Sequence, residues 1–212
     1  MKRNKDIIIL ANGDLPTSKR AMDELSSNKF LLCCDGAAQK AESLDYSADL
    51  VIGDMDSISE TLREKYKDRF IYMDNQDSND LSKALSWATD NGAESVTIMG
   101  ADGGSDDHYL GNLFLILESH YNFNIKMLTN SGRFDIATNR DFSSYPNQKV
   151  SLFCIDRDAK VSTRGLEYEL KDYTFDNLYG ATLNKSLGTS FRVSCNNLDT
   201  KILIYRGNEE VR

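Results

Sequence analysis

The chain is poor in the side chains that zinc sites and hydrolase triads require. Its 212 residues include two histidines and four cysteines, and no cysteines form a Cys-x-x-Cys pair. A zinc site is therefore not expected, and two histidines leave little room for a Ser-His-Asp triad. The sequence contains no Gly-x-x-x-x-Gly-Lys-Ser/Thr loop and no Gly-x-Ser-x-Gly turn. These absences argue against a P-loop enzyme and an α/β-hydrolase.

A net positive charge and long apolar runs are also lacking. The net charge is −8, which disfavours nucleic acid as a partner because phosphate backbones need a basic surface. The first apolar run, Ile7 to Ala11, is too short for a signal peptide or a membrane span and predicts a buried strand. Scattered cysteines in a chain of this size indicate a reducing cytoplasm. An acidic chain can still bind a phosphate ligand through metal ions, and it attracts cationic small molecules.

Short apolar runs alternate with helix-like stretches over the first 130 residues, which predicts a parallel sheet in an α/β layer fold. The predicted strands are Ile7–Ala11, Phe30–Cys34, Leu50–Ile52, Phe70–Met73, Ser95–Met99 and Ile125–Leu128. The predicted helices are Ser18–Ser26, Ala37–Ser43, Ile58–Lys67, Asp80–Asn91 and Asp107–His120.

Long helical periodicity ends near residue 130. Short strands separated by turns follow, which predicts an all-β sandwich or barrel. We therefore predict two domains, residues 1–130 and 131–212. The predicted strands of the second domain are Val150–Ile155, Ala159–Ser162, Leu166–Leu170, Ala181–Asn184, Phe191–Cys195 and Lys201–Tyr205.

Aspartates follow three successive predicted strands. Asp35 follows the second strand, Asp54 and Asp56 the third, and Asp77 and Asp80 the fourth. Ligands of an open parallel sheet bind beyond the carboxyl ends of its strands. Residues two apart in an extended segment, or three apart at a helix start, can face one ligand. Such carboxylates suit Mg²⁺, which takes one or two of them plus substrate phosphates. The same residues could instead form a chance pair, a helix cap and a turn.

A glycine pair follows the fifth predicted strand. Gly103 and Gly104 would let the backbone approach a ligand closely, and the next helix offers N–H groups to a phosphate. Asp107 and His108 stand at the start of that helix. The stretch could also be a plain loop in which His108 packs locally.

Taken in order, these motifs resemble those of the thiamine pyrophosphokinase family. The resemblance extends over roughly residues 7 to 205 and rests on an ordered set of stretches. These are Asn12-Gly13, Asp35-Gly36-Ala37, Gly53–Ser57, Gln76–Asp80 with Lys83, Gly103–His108, Gly165–Leu170 and Gly188–Ser190. The resemblance implies a Rossmann-like three-layer α/β/α domain with a mainly parallel sheet, a β-sandwich domain after it, and a homodimer.

The resemblance also implies a reaction and the residues that perform it. Thiamine's hydroxyl would attack the β-phosphorus of ATP and AMP would leave, with ATP and Mg²⁺ at the aspartates and thiamine between two subunits. The implied catalytic and metal-binding residues are Asp54, Asp56, Asp77 and Asp80, with Asp77 or Asp56 as a candidate base. The implied ATP-binding residues are Asn12, Asp35, Lys83, Gly103, Gly104, Asp107 and His108. The implied thiamine-binding residues are Tyr168 and Ser190.

Three positions depart from the family pattern. Asn79 stands where the family usually has Thr, Ser105 where it has Arg, and Phe191 where it has Asn. The last two changes concern a phosphate contact and the thiamine end, so a non-catalytic thiamine or nucleotide sensor on the same fold stays open. An Asp-x-Asp glycosyltransferase that uses a nucleotide sugar and a metal-dependent phosphoesterase also stay open at this point.

Overall fold

The structure is a computed structural model that describes residues 5–15, 17–54, 56–73, 78–118 and 120–208. The chain divides into two compact units, Met1–Asn130 and Ser131–Arg212. None of the helices in these ranges combines the length and the apolar character that a membrane crossing requires.

The described part of the first unit contains a six-stranded sheet in which all neighbouring strands are parallel. The strands are β1 (Asp6–Leu10), β2 (Phe30–Cys34), β3 (Leu50–Gly53), β4 (Phe70–Tyr72), β5 (Ser95–Met99) and β6 (Asn124–Leu128). The helices are α1 (Lys19–Leu25), α2 (Ala37–Glu42), α3 (Glu60–Tyr66), α4 (Asp80–Asp90) and α5 (Asp106–Glu118). A 3₁₀ turn, Lys67–Arg69, follows α3.

Helices cover both faces of this sheet. Successive residues of a strand point to opposite faces. Leu31 and Cys33 of β2 pack in a cluster with buried residues of α1, α2 and α3. Phe30, on the other face, stacks on Trp87 of α4 with ring centroids 5.5 Å apart. This layered arrangement confirms the predicted α/β fold with its parallel sheet.

The strand order reverses between β1 and β5. The order across the sheet is β6-β5-β1-β2-β3-β4, so the chain runs outward from β1 to β4 and then returns to the other side of β1. In open α/β sheets such a switch point leaves a crevice at the carboxyl ends of the two strands. The loops that follow β1 and β5 therefore flank the crevice.

The second unit contains two antiparallel sheets within its described residues. The strands are β7 (Gly132–Ala137), β8 (Arg140–Ser143), β9 (Lys149–Phe153), β10 (Val161–Arg164), β11 (Asn184–Lys185), β12 (Ser190–Cys195) and β13 (Ile202–Gly207). One sheet has the order β11-β9-β13-β7 and the other β10-β12-β8. Inward residues of both sheets, such as Phe142, Val193 and Ile204, share one core. This confirms the predicted β-rich second domain.

A buried ion pair lies inside the second unit. Arg206 and Asp135 are each 2% exposed, and Arg206 Nη2 lies 2.7 Å from Asp135 Oδ2. Arg133 donates to both carboxylate oxygens of Asp135, at 2.9 and 3.1 Å. Arg206 Nη1 also donates to the carbonyl oxygen of Ser143, at 2.9 Å. Since Arg206 belongs to one sheet and Ser143 to the other, this guanidinium connects the two sheets.

The strand predicted over Leu166–Leu170 is wrong. In this stretch Leu166 forms an isolated β-bridge with Ser186. Gly165 has a left-handed φ of 86°. The backbone of Tyr168 is bonded to the side chain of Asn184 and not to the backbone of a neighbouring strand. Two strands that the sequence analysis did not predict, β7 and β8, begin the second unit.

Candidate active site

Backbone hydrogen bonds lock together the loops that follow β1 and β5. The N–H of Gly13 donates to the carbonyl of Gly100 at 2.6 Å, and that of Asp14 to Asp102 at 2.8 Å. A Cβ atom on Gly13 would collide with the carbonyl oxygens of Gly100 and Asp102. The approach of the two loops therefore requires glycine at this position.

Lys40 supports the same loop from helix α2. Its Nζ donates to the carbonyl oxygens of Asn12 and Gly13, at 2.7 and 2.5 Å. Two carbonyls held by one ammonium fix the path of the chain after β1. The sequence analysis did not identify Lys40, because its partners are backbone atoms about 27 residues away and carry no side-chain pattern.

A cleft of about 530 Å³ lies at this end of the sheet. Its volume falls in the range of roughly 300–1,000 Å³ that small-molecule sites occupy. Eight of the predicted site residues line it: Asn12, Asp54, Asp80, Lys83, Gly103, Gly104, Asp107 and His108. The structure thus brings together residues from the ends of β1, β3 and β5 and from the starts of α4 and α5.

Two asparagines tie the start of α4 and the middle of α5 to the β5 loop. Asn79 caps α4 by accepting a hydrogen bond from the N–H of Ser82 at 2.8 Å. Its Nδ2 donates to Asn112 Oδ1 at 3.2 Å, and Asn112 Nδ2 donates to the carbonyl of Ala101 at 3.0 Å. Asn112 lines the cleft but was not predicted. Its signal is its position four residues after His108, which places both on one face of α5.

Lys83 supplies positive charge to the cleft. It stands one turn into α4 and is buried, with its Nζ 3.1 Å from Asp80 Oδ1. A buried ammonium is costly unless anions and acceptors surround it. An anionic group in the cleft would therefore be bound favourably beside Lys83.

Asp35 lies among the aspartates but is not one of the residues that line the cleft. Its Oδ2 accepts from the N–H of Ser57 at 2.9 Å, and its buried Oδ1 has no hydrogen-bond partner among the described residues. Burial raises the pKa of the Asp35 carboxyl, and the charges of Asp54 and Asp80 raise it further, despite the bonds from Ser57. The charges of Asp54 and Asp80 therefore repel a charged Asp35 carboxylate, and a cation would relieve that repulsion.

Two of the four predicted catalytic and metal-binding aspartates, Asp56 and Asp77, are not among the residues that line the cleft. Asp56 is exposed, and its N–H donates to Asp54 Oδ1 at 3.1 Å within a turn. Asp56 therefore lies in a turn, whereas the prediction relied on an extended segment. Asp77 lies outside the described residues. Within the ranges that the structure describes, no three His, Cys, Asp or Glu side chains form a group that could hold a metal ion by themselves.

Tyr168 and Ser190, the predicted thiamine-binding residues, lie in the second unit. Tyr168 is 66% exposed, and Ser190 is exposed at the start of β12. A Cβ on Gly165 would lie 2.9 Å from the carbonyl oxygen of Ser190, so the segment that carries Tyr168 packs closely against Ser190. Phe191 points the other way, into the core, and stacks on Phe142 with centroids 5.1 Å apart.

An acidic cleft with a glycine loop at the switch point of a parallel sheet is typical of α/β proteins that bind phosphate-bearing ligands beyond their strand ends. Comparison with known protein families identifies the family: the chain belongs to the thiamin pyrophosphokinase family. Residues 21–129 match the catalytic domain of thiamin pyrophosphokinase, and residues 132–205 match its substrate-binding domain.

Individual relatives agree with this assignment. The thiamine pyrophosphokinase of Bacillus subtilis is 37% identical over 68 residues, which span 30% of this chain and 32% of that protein. A crystal structure of thiamine pyrophosphokinase from the same species has a TM-score of 0.80 at 20% identity and covers 96% of this chain and 99% of that chain. Thiamin pyrophosphokinase from Candida albicans gives 0.78 at 14% identity, over 98% and 91%. At these identities the two structures support the fold.

Proposed function

We propose that the protein is a thiamine pyrophosphokinase, which transfers the pyrophosphoryl group of ATP to the hydroxyl of thiamine and yields thiamine diphosphate and AMP. One observation carries the proposal beyond family membership. Carboxylates and a glycine loop, which the sequence analysis predicted from separate motifs, line one cleft together with a buried lysine at the switch point of the sheet.

ATP would bind in this cleft with its phosphates toward the glycine loop. Gly103 and Gly104 have left-handed φ angles of 75° and 70°. They precede the start of α5, and the backbone N–H groups at a helix start favour phosphate. The Lys83 ammonium would pair with a phosphate oxygen, while Asn12 and His108 offer further polar contacts on the cleft wall. These groups act by positioning the phosphates and balancing their charge.

Mg²⁺ would be held by Asp54 and Asp80, with Asp56 and Asp77 as further predicted ligands. The chemistry of the site suits such an ion, because the candidate donors are carboxylate oxygens and the carboxyl of Asp35 beside them has a raised pKa. Mg²⁺ needs one or two carboxylates when substrate phosphates and waters complete its shell. When bound, the ion draws charge from the phosphates.

The remaining roles concern thiamine. The exposed face of Tyr168 would attract its cationic ring, and Ser190 would make a polar contact nearby. An aspartate, Asp77 or Asp56, would accept the proton of the attacking hydroxyl. The cytoplasm is proposed as the compartment because all four cysteines are free and buried. A homodimer with active sites at the subunit interface is proposed from the family resemblance, and a monomer in sedimentation at working concentration would contradict it.

The decisive experiment is to incubate the protein with thiamine, ATP and Mg²⁺ and to identify the products by mass spectrometry. We expect thiamine diphosphate and AMP, both lost on addition of EDTA. Asp54→Asn should abolish turnover, whereas Asp141→Asn, which removes an exposed carboxylate of the second unit, should not. ADP with thiamine monophosphate would overturn the proposal, and a thermal shift by either ligand without product would favour the sensor.

A further inference from the structure

Tyr168 stands where an antiparallel backbone ladder ends. The N–H of Leu187 donates to the carbonyl of Gly165 at 3.0 Å, and that of Glu167 donates to Lys185 at 2.8 Å. Leu166 forms the bridge with Ser186 between them. The same register places Asn184 opposite Tyr168. The strand predicted over this stretch therefore begins as a ladder but does not continue past this pair.

Where the ladder stops, the side chain of Asn184 makes the hydrogen bonds to the backbone of Tyr168. Its Oδ1 accepts from the N–H of Tyr168 at 3.0 Å, and its Nδ2 donates to the carbonyl of Tyr168 at 2.7 Å. Oδ1 also accepts from the N–H of Lys185 at 2.8 Å. Asn184 is 4% exposed, and its backbone pairs with Val150 of β9. A buried carboxamide anchored on a sheet thus satisfies both backbone groups of Tyr168.

The residue before Asn184 also has an unusual conformation. Leu183 has a left-handed φ of 59°, and its side chain is 87% exposed. Leucine adopts this conformation at a cost that neighbouring contacts must offset. One such contact is the bond from the N–H of Leu183 to Ser151 Oγ, at 3.2 Å.

The ring of Tyr168 depends on these backbone bonds for its position. It is 66% exposed, and it stacks on no other aromatic ring within the described parts of the chain. Packing therefore does little to orient it, whereas the backbone from which it projects is held at both its N–H and its C=O. The same segment packs against Ser190 through Gly165.

We propose that Asn184 is a positioning residue for the thiamine site, which holds Tyr168 so that its ring presents a face to the cationic ring of the substrate. This inference rests on the proposed function. Asn184 touches neither ATP nor the reacting hydroxyl in this proposal, so its loss weakens thiamine binding and leaves phosphate chemistry intact. Only a carboxamide can serve both backbone groups, because a carboxylate cannot donate to the carbonyl of Tyr168.

The test is steady-state kinetics on Asn184→Ala and Asn184→Asp. Both variants should raise the KM for thiamine by about 3- to 10-fold, since a misplaced aromatic face forfeits most of a cation–π contact. The KM for ATP and kcat should stay within about twofold of the wild type. Tyr168→Ala should raise the thiamine KM similarly, and adding Asn184→Ala to it should have little further effect, because both changes remove one interaction.

Asn139 provides a matched control. Its side chain makes the same pair of bonds to the backbone of Cys195, accepting at 3.0 Å and donating at 3.3 Å. Cys195 ends the strand that Ser190 begins, so the two lie roughly 17 Å apart at about 3.3 Å per residue. Asn139→Ala should therefore destabilise the second unit without changing the KM for thiamine.

Two results would overturn the inference. In one, Asn184→Ala shifts the thiamine KM no more than Asn139→Ala; in the other, it adds its full effect to Tyr168→Ala. If Asn184→Ala does not fold, Asn184→Asp is used in its place, because aspartate is nearly isosteric with asparagine and keeps both accepted bonds.

If the wild type does not turn over thiamine, the proposed function fails, and calorimetric titration with thiamine still tests the role of Asn184. Equal affinities of the wild type and Asn184→Ala for thiamine, or no binding of thiamine by the wild type, would then reject the positioning role.

Discussion

Replacing Asp135 by asparagine should lower the free energy of unfolding by about 3 kcal/mol. The carboxylate accepts four hydrogen bonds from Arg133 and Arg206. Asparagine has nearly the same shape, but its NH₂ group cannot accept, and it leaves the buried Arg206 guanidinium without a counter-charge. Removing one partner of a buried pair costs about 3–5 kcal/mol. The lower figure applies because the remaining amide oxygen still accepts and because Arg133 can reach water.

Asp141→Asn is the matched control for this prediction. Asp141 Oδ2 lies 2.5 Å from Arg192 Nη1, but the two side chains are 69% and 49% exposed. Exposed pairs of this kind contribute about 0–1 kcal/mol. Urea unfolding at neutral pH, followed by far-ultraviolet circular dichroism, gives both free energies. The reasoning is refuted if Asp135→Asn destabilises the protein by no more than Asp141→Asn does.

Two further predictions concern the first unit. Burial raises the pKa of Glu24, but hydrogen bonds from Lys29, Lys126 and Thr97 outweigh burial and hold it at about 2, below the ordinary 4.5. The stability that this gives is complete above about pH 4.5 and is lost as the pH falls toward 2. The free energy of unfolding, obtained from urea curves between pH 5 and 2.5, should therefore fall by about 1–2 kcal/mol more for the wild type than for Glu24→Gln after solvent screening; parallel pH dependences would refute this. Gly13→Ala should cost about 2 kcal/mol through backbone collision and weaken ATP binding in calorimetry, and unchanged affinity would contradict the assigned site.

The sequence predicts strands well where an apolar run is continuous and bounded by turn residues. The bounds of β2 and β5 coincide with the predicted Phe30–Cys34 and Ser95–Met99, because both strands are buried and their ends carry Asp or Gly. Strand β7 could not be predicted in this way, because Arg133 and Asp135 interrupt its apolar pattern. The buried charge of Asp135 is also balanced by Arg206, 71 residues away, and that partner is visible only in the folded chain.

The candidate site, too, could be predicted from the sequence only in part. The rule that ligands bind at strand ends predicted that Asp54, Asp80 and the glycine loop lie together, and they line one cleft, because the rule depends on topology alone. It could not show that the chain turns at Asp56, which depends on a local hydrogen bond. Nor could it identify Lys40 or Asn112, which donate hydrogen bonds to backbone carbonyls of other loops.

The stacking of Trp87 on Phe30 has a practical consequence. Trp87 is the single tryptophan of the chain, so intrinsic tryptophan fluorescence reports on the first unit alone, whereas circular dichroism reports on both. Comparing the two signals during urea unfolding therefore separates the units without any label. Asp135→Asn, a change in the second unit, should shift the dichroism curve; the fluorescence curve will move with it if the protein unfolds as one cooperative body and will stay in place if the first unit unfolds on its own.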